Sequence, residues 1–303
     1  MNLFGRYICI LSVLFFLYSC NNENKDKQSK DDILSGEITV LVDESVLPIM
    51  QEQIEVFESS YYNAKVKAVA KPEVHAINGL IKGEGDIIIL TRDLTEQEGK
   101  TFKDRSITPR IYPIAYDAVV LVANADADST ITSDQVVELM RGESRSSTKL
   151  LIDNPNSSVV RYMKQVGNLD KIANTNIETK QGAEEMLKSI ALEKNKLGLM
   201  SFNQYLSLQR VFSEMDKIRI LSVLNDTLQS PKYVKPTQAS LSTGEYPLRR
   251  EVKVLNYQPN MGLGLGFSAF LTGDRGQRIM LKSGLLPAKM PGREIIIRES
   301  VNK

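Results

Sequence analysis

The sequence predicts an α/β fold built as two lobes, and three observations predict it. Short, nearly continuous apolar runs alternate with amphipathic stretches from Ile38 onward, and the alternation restarts after Tyr112. The 303-residue length suits one large domain or two lobes of about 130 to 150 residues once a leader is removed. A composition of 42% hydrophobic and 25% charged residues is that of an ordinary globular chain held by its core.

Arg6 forms a positive n-region, Tyr7 to Leu17 an apolar h-region, and Leu17-Tyr18-Ser19-Cys20 a small-residue cleavage site. The apolar run is short for a bilayer span, which needs about 20 residues. The pattern resembles the lipobox of bacterial lipoproteins, which implies that residues 1–19 are a signal peptide and that the Cys20 thiol is acylated, with palmitate as a candidate chain. An ordinary secretory signal and a short membrane anchor are the alternatives, and the former would leave Cys20 as an odd thiol. Cys9 lies in the leader, so no disulfide is available. Residues 20–37, rich in Asn, Lys, Asp and Glu, have little to bury and read as a disordered tether.

Ile38 to Val42 reads as a strand buried on both faces, Pro48 to Glu58 as a helix with proline in its first turn, and Lys65 to Ala70 as a second strand. Glu73 to Lys82 follows as a short helix and Asp86 to Leu90 as a third strand. This order implies right-handed crossovers and a parallel sheet, with Asp43-Glu44-Ser45 and Thr91-Arg92-Asp93 facing one crevice. In the second series Ala118 to Ala123 and Leu150 to Asp153 are strands, with a Thr132 to Arg141 helix between them, capped by Thr132 or Ser133. Asn156-Ser157-Ser158 opens a helix running through Val166, Gln181 to Asn195 is helical, Leu197 to Phe202 is a strand, and Ile218 to Val223 an edge element. Towards the C-terminus Arg250 to Leu255 is strand-like, and a helix is predicted from Phe267 through Leu281. Gly262-Leu263-Gly264-Leu265-Gly266 reads as a packing turn, because no following ribose acid supports a dinucleotide fingerprint.

Five segments, in order and spacing, resemble the phosphate-binding receptors of ABC importers, within the type II periplasmic binding proteins: residues 38–48, 86–94, 112–124, 153–161 and 246–286. Tyr112-Pro-Ile-Ala-Tyr-Asp-Ala-Val-Val-Leu-Val-Ala-Asn124 is similar to that family's crossover strand, and Tyr246-Pro-Leu-Arg-Arg250 to its return crossover. Gly276-Gln-Arg-Ile-Met-Leu-Lys-Ser-Gly-Leu-Leu-Pro287 resembles its C-terminal helix and turn. The resemblance implies a two-lobed type II periplasmic-binding-protein fold, with mostly parallel sheets, helices on both faces and two hinge crossovers. Lobe I would comprise residues 38–116 and 250–303, and lobe II residues 117–249.

Such receptors hold a buried oxyanion without metal or cofactor, using helix N-terminal amides, hydroxyls, an arginine and often a carboxylate that accepts the phosphate proton. Carried over residue by residue, the ligand contacts would be Ser45 with the amides of Ser45 and Val46, then Thr91 and Arg92, Ser157 and Ser158, and Arg161. Asp117 would stabilise the hinge. Three features depart from the family pattern: Asp43-Glu44 stands in a loop that is normally glycine- and serine-rich, Val159-Val160 replaces Gly-Thr, and Asn154 replaces an arginine. For Arg92 and Arg161 surface or interlobe ion pairing is the alternative, and for Ser157 and Ser158 helix capping.

Catalysis is not expected. The sole histidine, His75, has no cysteine or serine partner motif, and His/Cys metal-ligand spacing is absent. Removing the leader takes away one of 38 basic residues, Arg6, so the mature chain balances the 37 acidic ones and nucleic acid is not an expected partner. The expected protein is therefore an extracytoplasmic, lipid-anchored, monomeric receptor that captures phosphate or a related oxyanion for an ABC permease. The alternatives are a ligand-free interaction or structural lipoprotein derived from that fold, or a receptor for a less charged solute that Asp43 or Glu44 could hydrogen-bond.

Overall fold

The computed structural model describes residues 32–292. The signal peptide, Cys20, the tether as far as residue 31 and the last eleven residues assigned to lobe I lie outside the described residues. Among the described residues no helix is long and apolar enough to cross a membrane.

The chain begins with β1 (Gly36–Asp43), a 3-10 turn at Glu44–Val46 and helix α1 (Leu47–Ser60), then β2 (Ala64–Lys71), α2 (Glu73–Ile81) and β3 (Ile87–Leu90). β1 pairs in parallel with both β2 and β3, as the strand-helix alternation requires. The four side chains of β3, Ile-Ile-Ile-Leu, are all buried because helices cover both faces of the sheet. Gly36 and Glu37, assigned to the tether from sequence, are already in β1, opposite Ala64 and Lys65. Helix α3 (Glu96–Asp104) was not predicted from its pattern: Phe102 is its one buried side chain, and a Thr95/Glu98 capping box sets its start.

β4 (Arg110–Asn124) is a single 15-residue strand that passes from one lobe to the other. Its first part pairs with β12 (Arg249–Asn256) and its last part with β8 (Lys196–Ser201), all antiparallel. The path through the main sheet is β2-β1-β3-β12-β4-β8-β6-β7, with β6 at Lys149–Ile152 and β7 at Ile177–Thr179. Each lobe thus has a parallel three-stranded core, and antiparallel pairs occur where the crossover strands enter. The second lobe adds β5 (Thr130–Ile131), α4 (Ser133–Arg141, capped by Thr132), α5 (Ser158–Val166), α6 (Ala183–Leu192) and α7 (Phe202–Gln209). The Ile218 to Val223 element divides into β9 (Ile218–Ile220), paired with β4, and β10 (Ser222–Asn225), paired with β5 and β11 (Lys232–Val234).

Three boundaries differ from expectation, each for a local reason. α6 starts only after Gly182, whose φ of 94° is in the left-handed region, and ends where Glu193 turns extended to feed β8. Phe202 leaves the strand to open α7, because Ser201 accepts a hydrogen bond from the Gln204 amide and caps the helix. The expected helix over 267–281 is two helices, α9 (Leu263–Thr272) and α10 (Asp274–Lys282), broken at Gly273; a short α8 (Gln238–Ser242) precedes them. The glycine-rich run lies within the first turns of α9 and serves packing. A Cβ on Gly266 would stand 1.7 Å from the Ile33 carbonyl oxygen, and one on Gly264 2.5 Å from Ile87 Cδ1.

Candidate functional site

β1, β3, α5 and α7 all present an end to the seam between the lobes, and β12 crosses beneath it. Ser45 sits in the 3-10 turn after β1, where Asp43 Oδ1 accepts its backbone N–H at 3.0 Å. Ser158 begins α5, and Ser157 caps that helix by accepting from Val160 N. The Ser45 and Ser158 hydroxyl oxygens, from opposite lobes, are 3.1 Å apart. Both side chains are 0% exposed.

Arg250 joins them. Its Nη1 donates to Ser158 Oγ at 2.8 Å and its Nη2 to Ser45 Oγ at 2.9 Å. The same guanidinium donates through Nε and Nη2 to Asp117 Oδ2, at 2.9 and 2.7 Å. Both members of this ion pair are buried, and a charge buried this deeply persists only when paired and fully hydrogen-bonded. Asp117 Oδ1 accepts in addition from Asn203 N at 3.0 Å, and Asn203 Oδ1 from Ile49 N at 3.2 Å. Ser201 Oγ donates to the Ser45 carbonyl at 2.6 Å. The start of α7 is thereby pinned to the first lobe, and Asp117 ties Arg250 of β12 to the start of α7.

The predicted arginines are engaged elsewhere. Glu73, 1% exposed at the start of α2, accepts from Arg92 Nε at 2.8 Å within its own lobe. Across the seam, Arg161 Nε lies 2.9 and 3.1 Å from the two oxygens of the same carboxylate, and Arg161 Nη2 donates to Thr91 Oγ1 at 3.2 Å. Arg92 also grips Glu98 through both terminal nitrogens, at 2.7 and 2.9 Å. The ion-pairing alternative therefore describes Arg92 and Arg161 as they stand. Ser45, Thr91, Ser157, Ser158 and Arg161 line the seam, while the Val46 side chain is core.

Beside the hydroxyls stand three carboxylates. Burial pushes the Asp43 carboxyl above its ordinary value against the pull of Arg250. Burial, with Asp153 and Asp43 nearby, pushes Glu44 up to about 7, and burial raises Asp153 as well. Asp43 Oδ2 and Glu44 Oε1 are buried without a hydrogen-bond partner. Among the described residues no group of three or more His, Cys, Asp or Glu side chains could hold a metal ion.

Arg250, Glu73 and Asn203 escaped the sequence reading. A signal for Arg250 existed: along β12 it shares a face with Val252 and Val254, both buried, so its charge had to find a partner. Nothing comparable marked Glu73, an acidic residue in a helical first turn that would ordinarily be solvated.

A family model described as a PBP superfamily domain matches residues 27–275. The phosphate-binding protein PstS of Borreliella burgdorferi is 26% identical over 288 residues, covering 90% of this chain and 94% of that protein. PstS of Staphylococcus haemolyticus is 23% identical over 72% of this chain and 69% of its own length. Among solved structures, an ABC-type phosphate transport receptor from Vibrio cholerae superposes with a TM-score of 0.64 at 17% identity, over 83% of this chain and 100% of that one. At that identity the likeness speaks for the fold, two lobes joined through β4 and β12. By the family match across most of its length, the chain belongs to the PBP superfamily.

Proposed function

We propose that this protein is an extracytoplasmic solute-binding lipoprotein, anchored through Cys20, that captures phosphate or a related oxyanion between its lobes and delivers it to an ABC permease. One observation carries the reading: two hydroxyls from opposite lobes and a guanidinium from the crossover strand converge on a single buried point. An oxyanion entering as the lobes part would exchange the Ser45–Ser158 contact for hydrogen bonds to both hydroxyls, to Arg250 and to the amides at the start of α5. Oriented donors at a helix N-terminus stabilise such an anion where water is excluded. Thr91 and Arg161 stand at the edge of the same seam, and Arg161 could swing from Glu73 to the ligand.

The relatives named as phosphate-binding proteins support this reading. Titration calorimetry on the purified full-length chain with phosphate, sulfate and other oxyanions tests it. Micromolar or tighter phosphate binding, weakened in Ser158→Ala and Arg161→Ala, is the expected result. No heat with any oxyanion refutes it.

The ligand-free reading has its own support. Arg250 is already paired with Asp117, Arg161 and Arg92 with Glu73, and Asp43, Glu44 and Asp153 add negative charge at the seam. Two unit charges about 5 Å apart repel by ~3 kcal/mol at an effective dielectric constant of about 20. A dianion must overcome that for each carboxylate that stays ionised. A chain silent towards every oxyanion would be a structural or interaction module built on the same fold.

A further inference from the structure

Glu73 answers for two arginines at once. It opens α2, is 1% exposed, and accepts from Arg92 Nε at 2.8 Å within its own lobe. From the other lobe Arg161 Nε reaches the same carboxylate, at 2.9 Å from Oε1 and 3.1 Å from Oε2. The two guanidiniums are held unequally. Arg92 is fixed in addition by both Glu98 oxygens and by the Asp93 carbonyl. Among the described residues, Arg161 has besides Glu73 only the neutral side-chain oxygens of Thr91 and Gln165, each at 3.2 Å. Of the pair, Arg161 is therefore the one free to change partners.

Arg161 also stands where an oxyanion would be felt. It follows Ser158 by three residues on α5, which puts the two side chains on one face of the helix. Arg250 bonds Ser158 from β12. Burial, opposed by Glu73 and reinforced by the charges of Arg92 and Arg250, pulls the Arg161 guanidinium below its ordinary value. Three guanidiniums thus crowd one stretch of the seam, and Glu73 is the anion that supports Arg161 there.

We infer that Glu73 is a tethered competitor of the oxyanion: its carboxylate occupies the Arg161 guanidinium that the ligand needs, and so sets the affinity of the cleft. The exchange leaves no charge stranded. When Arg161 turns to the oxyanion, Glu73 keeps Arg92, and Arg161 trades one anion for another. The apparent affinity is then lowered by the small fraction of molecules in which Arg161 is released from Glu73.

Such a role presupposes the receptor reading, and the two fail differently in one experiment. Inorganic phosphate is titrated calorimetrically into the full-length chain and its variants, with far-ultraviolet circular dichroism confirming that each is folded. Glu73→Gln is expected to bind phosphate about tenfold more tightly than the parent, the scale on which close charge pairs couple, even as its urea midpoint falls. A merely structural role for Glu73 would leave binding unchanged or weaken it. Glu98→Gln, which loosens Arg92 without touching Arg161, is expected to match the parent within about twofold. Glu73→Asp, with its charge withdrawn by one methylene, should fall between parent and Glu73→Gln, and it carries the test if Glu73→Gln does not fold. Phosphate binding by the parent that is no weaker than in the Glu73 variants overturns the competitor role and leaves the receptor standing. A gain that survives in Glu73→Gln/Arg161→Ala overturns the route through Arg161. No heat with phosphate from the parent or any variant overturns the receptor reading and the competitor role with it.

Discussion

The buried Arg250–Asp117 pair is the feature whose removal should be felt most. Arg250→Met keeps the stem's length and removes four hydrogen bonds: two to Asp117 and one each to Ser158 and Ser45. Asp117, 0% exposed, is then left as an uncompensated charge. Breaking a buried pair from one side costs about 3–5 kcal/mol, most of it the stranded partner's desolvation. For a chain of this size that lowers Tm by about 6–15 °C. The cost belongs to the stranded charge, so neutralising it should restore stability. Arg250→Met/Asp117→Asn should be at least about 1 kcal/mol more stable than Arg250→Met alone, because an amide is cheaper to bury than a carboxylate and Asn Oδ1 can still accept from Asn203 N. Urea denaturation followed by far-ultraviolet circular dichroism measures both, the chain having no tryptophan to report by fluorescence. A loss below about 1 kcal/mol for Arg250→Met, or a double variant less stable than the single, would refute the view that this pair is the electrostatic anchor of the seam.

Three further outcomes are expected. Glu44 has its carboxyl raised from 4.5 to about 7, so the folded state holds a proton that the unfolded state releases between those values; stability from this group is complete below about pH 4.5 and falls as pH rises towards 7. Discounted for partial exposure of the side chain, the swing is about 1–2 kcal/mol, and Glu44→Gln should be more stable than the parent at about pH 7.5 and level with it at about pH 4, with equal differences at both pH values as the contrary result. Gly198→Ala should cost about 1–3 kcal/mol in urea denaturation, because its Cβ would stand 2.6 Å from Ile190 Cδ1 and 2.8 Å from both Met186 Sδ and Val122 Cγ2, and a neutral substitution would show that this core has room to give. Glu73→Gln should lose about 1–3 kcal/mol, since Arg161 loses the carboxylate it pairs with while Arg92 keeps Glu98, and an unchanged urea midpoint would mean the interlobe bridge contributes nothing.

Most of the fold was legible because it is written locally. The apolar runs of β1, β3 and the second half of β4, the buried stripe of α4, and the serine start of α5 are signals confined to a few neighbouring residues, and each produced its element within a few positions. Where local signals were weak the reading lost detail. α3 buries only Phe102, and the break between α9 and α10 at Gly273 sits inside a pattern that reads as one helix. The site was legible in part. Ser45, Ser157, Ser158, Thr91 and Arg161 were placed at the seam by resemblance, but what each touches was not written there.

The sequence by itself determined that this chain alternates strands and helices, that its core is apolar without disulfides, and which loops end at the carboxyl edges of the strands. Only the tertiary structure decided where the charges go. Arg250 meets Ser45 across 205 residues of chain and Asp117 across 133, and Arg161 meets Glu73 across 88. Such pairings depend on how the two lobes close, and no window of neighbouring residues holds that information. Desolvation then acts on the result: once the seam is shut, each buried charge must find a partner, and Asp43 and Glu44 each keep one carboxylate oxygen that has not.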